Sequence, residues 1–308
     1  MTTALISHPL CTRHEMGAFH PECPERLAAI HDQLRAARIA DLLLPFEAVR
    51  ASDEQIERVH PPQYLAWLAA AQPEAGAYAQ LDPDTAINVH SLDAARYAAG
   101  AVVMATDLVL SGSVGNAFCA VRPPGHHAEQ ARAMGFCVFN NVAIGTMHAL
   151  SAHGLRRVAI ADFDVHHGNG TEQIFAGHPQ VLMVSTFQHP LYPYCGIDPL
   201  GPNMVNVPLP PGSDGSAFRA AVTDRWLPAL EEFAPEMIFV SAGFDAHRED
   251  PLANLMLVEA DYAWVTQQLV GVAGRHANGR IVSSLEGGYS LSALGRSVVA
   301  HVGALMEA

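Results

Sequence analysis

Short, almost wholly apolar runs alternate along this chain with longer segments whose apolar residues recur at helical spacing. The runs at 3–7, 116–121, 158–163, 181–186, 205–209, 237–242 and 280–285 read as strands. Most are apolar at consecutive positions, so both faces are buried, and strands of that kind belong to a parallel sheet covered by helices on both sides. Helices are predicted from Pro24 to about Ile39, then over 54–60, 62–71, 91–111, 139–153, 170–176, 216–233, 258–273 and 291–306. Pro24 suits a first helical position, and Ser52-Asp53 read as a cap. Residues 72–90, rich in Pro, Ala and Asp, read as a surface connection with some local order. The 187–215 stretch reads as a long loop around the 205–209 strand, and loops of this length in a compact domain are usually functional. Strand and helix alternate without a linker or repeat, so one α/β domain over 1–308 is expected.

The polar residues that interrupt this pattern gather just after strands. One strand runs into Asp162-Phe163-Asp164-Val165-His166-His167-Gly168-Asn169-Gly170. Asp164 and His166 are two apart, so on extended backbone they face the same side. Asp245 follows the 237–242 strand, Arg122-Pro123-Pro124-Gly125-His126-His127 follows the 116–121 strand, and Glu286-Gly287-Gly288-Tyr289 follows the 280–285 strand. Each has a plain structural reading: a helix cap, a loop carboxylate, a loop histidine pair, a glycine turn. Ligands of open α/β sheets sit beyond the carboxyl ends of the strands, and four such clusters there argue for one pocket. Asp164, His166 and Asp245 offer two carboxylates and an imidazole with an open position, the donor pattern of a catalytic metal. The adjacent His126 and His127 are too close together to bind one metal comfortably and suit general base and acid roles. Tyr289 can donate to a developing oxyanion. Phe136 and Tyr192 fit the walls of a narrow apolar slot, although aromatic residues are also ordinary core.

Composition narrows the class. Among 308 residues, 50% are hydrophobic and 16% charged, which excludes disorder. No apolar run reaches the ~18 residues of a membrane span, and the N-terminus lacks the basic and apolar regions of a secretory signal. Five scattered cysteines fit a reducing compartment, so the cytoplasm is expected. A net charge of −14 argues against a nucleic-acid partner and leans towards a cationic substrate.

Five blocks carry a family resemblance: Arg122 to Ala128, Gly135-Phe136-Cys137-Val138-Phe139-Asn140-Asn141, Asp162 to Thr171, Ser241-Ala242-Gly243-Phe244-Asp245 and Leu285 to Tyr289. They resemble, in order and over about residues 4–305, the signature blocks of the histone deacetylase family, nearest its class II branch. That family also holds acetylpolyamine amidohydrolases and acetoin-utilisation proteins. The resemblance implies the arginase/deacetylase fold with a single eight-stranded parallel sheet. It implies zinc on Asp164, His166 and Asp245, and a water attacking an amide carbonyl. His127 would be general base and then acid, His126 would tune the charge, and Tyr289 would stabilise the oxyanion. Asp162 matches the acid that partners the first histidine. Asn169 replaces the second acid, which keeps an acceptor but removes a charge and makes His127 a weaker base.

The resemblance also implies potassium near Asp162, Asp164, His166, Ser185 and Thr186, the last through its backbone oxygen. A second potassium would use main-chain oxygens near Phe175, His178 and Val181. Arg26 matches an arginine of an inner cavity beside the Gly287-Gly288 turn. Gly135, Phe136, Tyr192, Leu252 and Gly288 fall at substrate-binding positions. Leu252, after Asp250-Pro251, stands where polyamine-selective relatives carry glutamate, which favours an acyl-lysine side chain. Asp245-Ala246-His247 offers one ligand where an arginase-type two-metal site needs more. The expected function is therefore zinc-dependent removal of acetyl or related acyl groups from lysine side chains of proteins or peptides. The alternatives are an acetylpolyamine or small-amide deacylase and, of another class, a non-catalytic acyl-lysine binder.

Overall fold

The computed structural model describes residues 2–307, so of the expected 1–308 unit Met1 and Ala308 lie outside the described residues. In chain order the strands are β1 (Thr3–Ser7), β2 (Leu44–Glu47), β3 (Ala79–Asp82), β4 (Thr85–Ile87), β5 (Asn116–Cys119), β6 (Val158–Asp162), β7 (Val181–Gln188), β8 (Met204–Leu209), β9 (Met237–Ala242) and β10 (Ile281–Leu285). Eight of them form one sheet in the order β2-β1-β5-β10-β9-β6-β7-β8, with every pairing parallel. The strands β5, β6, β7, β9 and β10 are buried at every position, in keeping with their mostly apolar sequences.

The helices are α1 (Glu25–Ala36), α2 (Asp53–Glu57), α3 (Pro62–Ala71), α4 (Ser91–Leu110), α5 (Asn141–Ser151), α6 (Asn169–Phe175), α7 (Gly215–Ala221), α8 (Leu227–Phe233), α9 (Glu259–His276) and α10 (Leu291–Met306). One layer has α4 and α5 packed together and on β5, β6, β9 and β10; in another, α10 lies between α1 and α9. The Ser52 and Gln55 side chains close a reciprocal cap at the start of α2. The helix expected over 216–233 is interrupted, because a wide turn at Val222–Trp226 separates α7 from α8. Pro228 accounts for it: proline donates no backbone hydrogen bond and its ring crowds the carbonyl four residues back. Among the described residues no helix is long and apolar enough to cross a membrane.

Two strand features depart from expectation. Edge strand β2 has one partner and mostly exposed side chains, and it contains Pro45, which only an edge tolerates. Strands β3 and β4 make a separate antiparallel hairpin inside the 72–90 connection.

The strand order creates the site. Asp162 pairs with Ser241, Ser241 with Ser284, and Ser284 with Cys119, so one row of residues crosses β6, β9, β10 and β5. The loops after these four strands leave the sheet side by side at one level.

In the core, the rings of Phe118, Phe163 and Phe244 pack around His301, and Tyr262 packs on Phe163 and Phe244. Thr266 Oγ1 donates to Tyr262 O at 2.6 Å, so it accepts from His301 Nδ1 at 2.6 Å, while Ser283 Oγ lies 2.8 Å from Nε2. Burial lowers the His301 pKa to about 3. The unfolded imidazole titrates near 6.5, so between those values only the unfolded chain takes the proton, and stability falls as pH drops. Replacing His301 by asparagine should therefore destabilise most above pH 7, with the deficit shrinking towards pH 5. Urea unfolding of both proteins at the two pH values checks this; a deficit independent of pH would refute it.

Candidate active site

Two carboxylates and an imidazole meet where the loops after β6 and β9 run together. Donor atoms of Asp164, His166 and Asp245 all lie within 4.8 Å of one another. His166 Nδ1 is 3.1 Å from Asp164 Oδ1 and 3.1 Å from Asp245 Oδ2. The remaining carboxylate oxygens are held by backbone: Val165 N–H donates to Asp245 Oδ1 at 2.8 Å and Gly287 N–H to Asp164 Oδ2 at 2.8 Å. A Cβ at Gly287 would overlap Asp245 Oδ2, which explains glycine at this turn. Burial disfavours charge on Asp164, but His126 and His166 outweigh it and hold the carboxyl far below its usual range. Burial and the Asp164 charge push Asp245 up to about 7. This buried, crowded pair of carboxylates with an imidazole is the donor chemistry that suits a divalent cation.

The histidine pair lies beside it. His126 Nδ1 is 3.0 Å from Asp162 Oδ2, and His127 Nδ1 donates to Asn169 Oδ1 at 2.8 Å. Asn169 is oriented because its Nδ2 donates to Glu129 Oε1 at 3.0 Å. His127 therefore carries its proton on Nδ1 and keeps Nε2 as an acceptor. Burial opposes charge on His126, yet Asp164 and Asp162 prevail and push its pKa up to about 10. Burial, with repulsion from His126 and His166, drives His127 well below the ordinary imidazole value. Gly135 adopts φ +55°, and a side chain there would collide with the His127 ring.

A cavity of about 280 Å³ opens onto this cluster. His127, His166 and Tyr289 line it, together with Gly135, Phe136, Tyr192 and Leu252, all named from the sequence. Gly288 does not line it; its carbonyl instead accepts from Arg26 Nε at 2.7 Å. Arg26 lies beside the glycine turn as expected, with Cζ 5.1 Å from the Tyr289 ring centroid. Ser185 pairs in register with Asp162, and its buried Oγ has no hydrogen-bond partner, an orphan donor set of the sort a cation satisfies; Thr186 follows it on β7. The second potassium position is different. The oxygens of Phe175, His178 and Val181 do converge, but on the side-chain nitrogen of Asn203, so they do not fit an ion.

A model of the histone deacetylase domain matches residues 20–305. The chain belongs to the histone deacetylase family. It is 40% identical over 281 residues to the "Histone deacetylase-like amidohydrolase" of Pseudomonas aeruginosa, covering 89% of this chain and 73% of that one. It is 39% identical over 326 residues to "Polyamine deacetylase HDAC10" of Mus musculus, covering 99% of this chain and 48% of that longer protein. The crystal structure of the HDA15 HD domain superposes with a TM-score of 0.93 at 34% identity, covering 99% of this chain and 90% of that one. The fold is thus the arginase/deacetylase fold of the family, and the chain is a hydrolase of acetylated amides.

Several deacetylase-site residues escaped the sequence reading. Asp84, in the β3–β4 turn, lines the cavity, and its Oδ1 accepts from Gly135 N–H at 2.9 Å. Glu286 Oε2 accepts from Gly125 N–H at 2.6 Å and His126 N–H at 3.1 Å, clamping the histidine turn. Asp250 Oδ2 accepts from Tyr289 N–H at 2.7 Å, while its Oδ1 accepts from Leu252 N–H at 3.0 Å. One buried carboxylate so joins the tyrosine turn to the leucine loop. Glu22 is fully buried between Arg122 and Arg26, and although burial opposes its charge, Arg122 and His14 prevail and hold its pKa well below the ordinary value. The Glu286-Gly287-Gly288 and Asp250-Pro251 patterns gave a signal; Asp84 gave none.

Proposed function

We propose that this chain is a zinc-dependent amidohydrolase that removes acetyl and related acyl groups from lysine side chains of peptides or proteins, with residues 1–308 as one catalytic unit. The observation that carries the reading is the cavity, whose walls are apolar at Phe136, Leu191, Tyr192 and Leu252 and whose lining includes His127, His166 and Tyr289. An apolar slot of that size suits the methylene stem of lysine, with the amide delivered to the polar cluster. Zinc, for which Asp164, His166 and Asp245 provide the donors, would polarise the amide carbonyl and acidify water.

The chain's own groups divide the remaining work. His127 is kept neutral and presents Nε2, so it accepts the proton of the attacking water and returns it to the departing amine. His126, bonded to Asp162, sets the local charge. Burial and Asp245 raise the phenol of Tyr289 well above its ordinary pKa, so it stays protonated and donates to the oxyanion. Potassium is assigned to Asp162, Ser185 and the Thr186 backbone, supported by the unpartnered Ser185 Oγ. Five free cysteines support a reducing compartment, and we assign the cytoplasm; a charge of −14 argues against a nucleic-acid partner.

A second reading, an acetylpolyamine deacylase, draws support from the relative named for polyamines and from the Asp84 carboxylate in the cavity lining. Leu252 tips the choice, because an apolar side chain there offers nothing to a distant ammonium. Comparing kcat/KM for an acetyl-lysine peptide and for N-acetylputrescine should favour the peptide. Leu252→Glu should move the ratio towards the polyamine by about tenfold or more, the worth of a charge-assisted hydrogen bond. A wild-type preference for the polyamine would reverse the assignment.

A further inference from the structure

The main-chain carbonyls of Phe175, His178 and Val181 converge on one point between the end of α6 and the start of β7. Converging carbonyl dipoles are what replaces the hydration shell of a monovalent cation. Here that point is taken by the chain itself. Asn203 Nδ2 lies 2.8 Å from Phe175 O, 2.9 Å from Val181 O and 3.3 Å from His178 O. The far end of the amide fixes its orientation, since Gly177 N–H donates to Asn203 Oδ1 at 2.7 Å, so nitrogen and not oxygen faces the carbonyls. An amide has two hydrogens for these acceptors, which accounts for two short contacts and a longer one. Asn203 is anchored in turn: its own carbonyl accepts from Met183 N–H at 3.0 Å, and the next residue begins β8.

We infer that Asn203 is a built-in replacement for the second monovalent cation that the family resemblance implies, and that no ion binds among these carbonyls. Potassium meets a carbonyl oxygen at about the separation of an N–H···O hydrogen bond, so ion and amide nitrogen compete for the same space. The replacement matters for the site because α6 starts at Asn169, which holds His127, and ends at Phe175, which Asn203 ties down. The helix that positions the histidine is thus pinned at its far end by a covalent part of the chain, whatever the salt.

Anomalous diffraction from wild-type crystals soaked in rubidium or thallium(I) salts tests this directly. The expected result is no anomalous peak among the oxygens of Phe175, His178 and Val181. A peak there, with the Asn203 side chain displaced, overturns the inference. Asn203→Ala should open the position: its melting temperature should rise with KCl, at ionic strength held constant with tetramethylammonium chloride, by more than that of the wild type. Identical KCl dependence in the two proteins also overturns it. Neither measurement uses turnover, so the outcome is independent of which acylated amine is the substrate.

Discussion

Asp245→Ala is expected to leave a folded protein that retains almost no bound divalent metal and hydrolyses its substrate on the order of 10³-fold more slowly or worse. Losing an outer-shell partner of a metal typically costs about 10–100-fold, and Asp245 supplies one of three direct donors, so the loss should exceed that range. Alanine also frees a buried amide, because Val165 N–H donates to Asp245 Oδ1 at 2.8 Å. Asp245→Asn separates the two effects: it keeps a side-chain acceptor for Val165 and removes only the charge. Both variants should lose metal by mass spectrometry, with circular dichroism showing the asparagine variant to be the better folded. Metal retained at one ion per chain, or turnover that survives exhaustive chelation of the wild type, would end the metal assignment.

Why these residues were legible and others were not follows from where their information lies. Asp164 and His166 stand out as an acid and an imidazole two apart after an apolar run, but β6 ends at Asp162, so the bend that follows the strand, and not strand periodicity, brings them together. Asp245, His126, His127 and Tyr289 lie beyond other apolar runs, and a parallel sheet sends such loops to one edge. The strand order that places β10 and β9 between β5 and β6 is what makes the four loops neighbours, and no local pattern encodes it. Asp84 takes its role from a partner 51 positions away, and nothing nearby marks it. Glu286 and Asp250 stand in recognisable turn patterns but take their roles from partners 161 and 39 positions away, which no local pattern names. The short strands β2, β3 and β4 lack a long apolar run. The break before α8 was readable in Pro228, but the apolar spacing of 216–233 continues through it. The amide of Asn203 meets Phe175 across 28 positions, so nothing near it in the sequence announces the contact.

Tyr289→Phe should lower kcat by roughly 10²–10³-fold with little change in KM, the usual cost of removing one oxyanion donor. Phenylalanine keeps the ring that packs edge-on against Phe136 at 5.9 Å and lies 5.1 Å from the Arg26 Cζ, so ground-state packing persists while the hydroxyl is lost. Position and chemistry can then be told apart through Asp250, which grips the backbone of Tyr289 and of Leu252 without touching the phenol in its hydrogen bonds. Asp250→Ala would release both loops, so it should raise KM through the leucine wall as well as lower kcat through the tyrosine turn. A phenylalanine variant whose kcat stays within twofold of the wild type would move the oxyanion donor elsewhere. An alanine variant at Asp250 with the same kcat-only defect would show that the carboxylate serves the tyrosine turn alone.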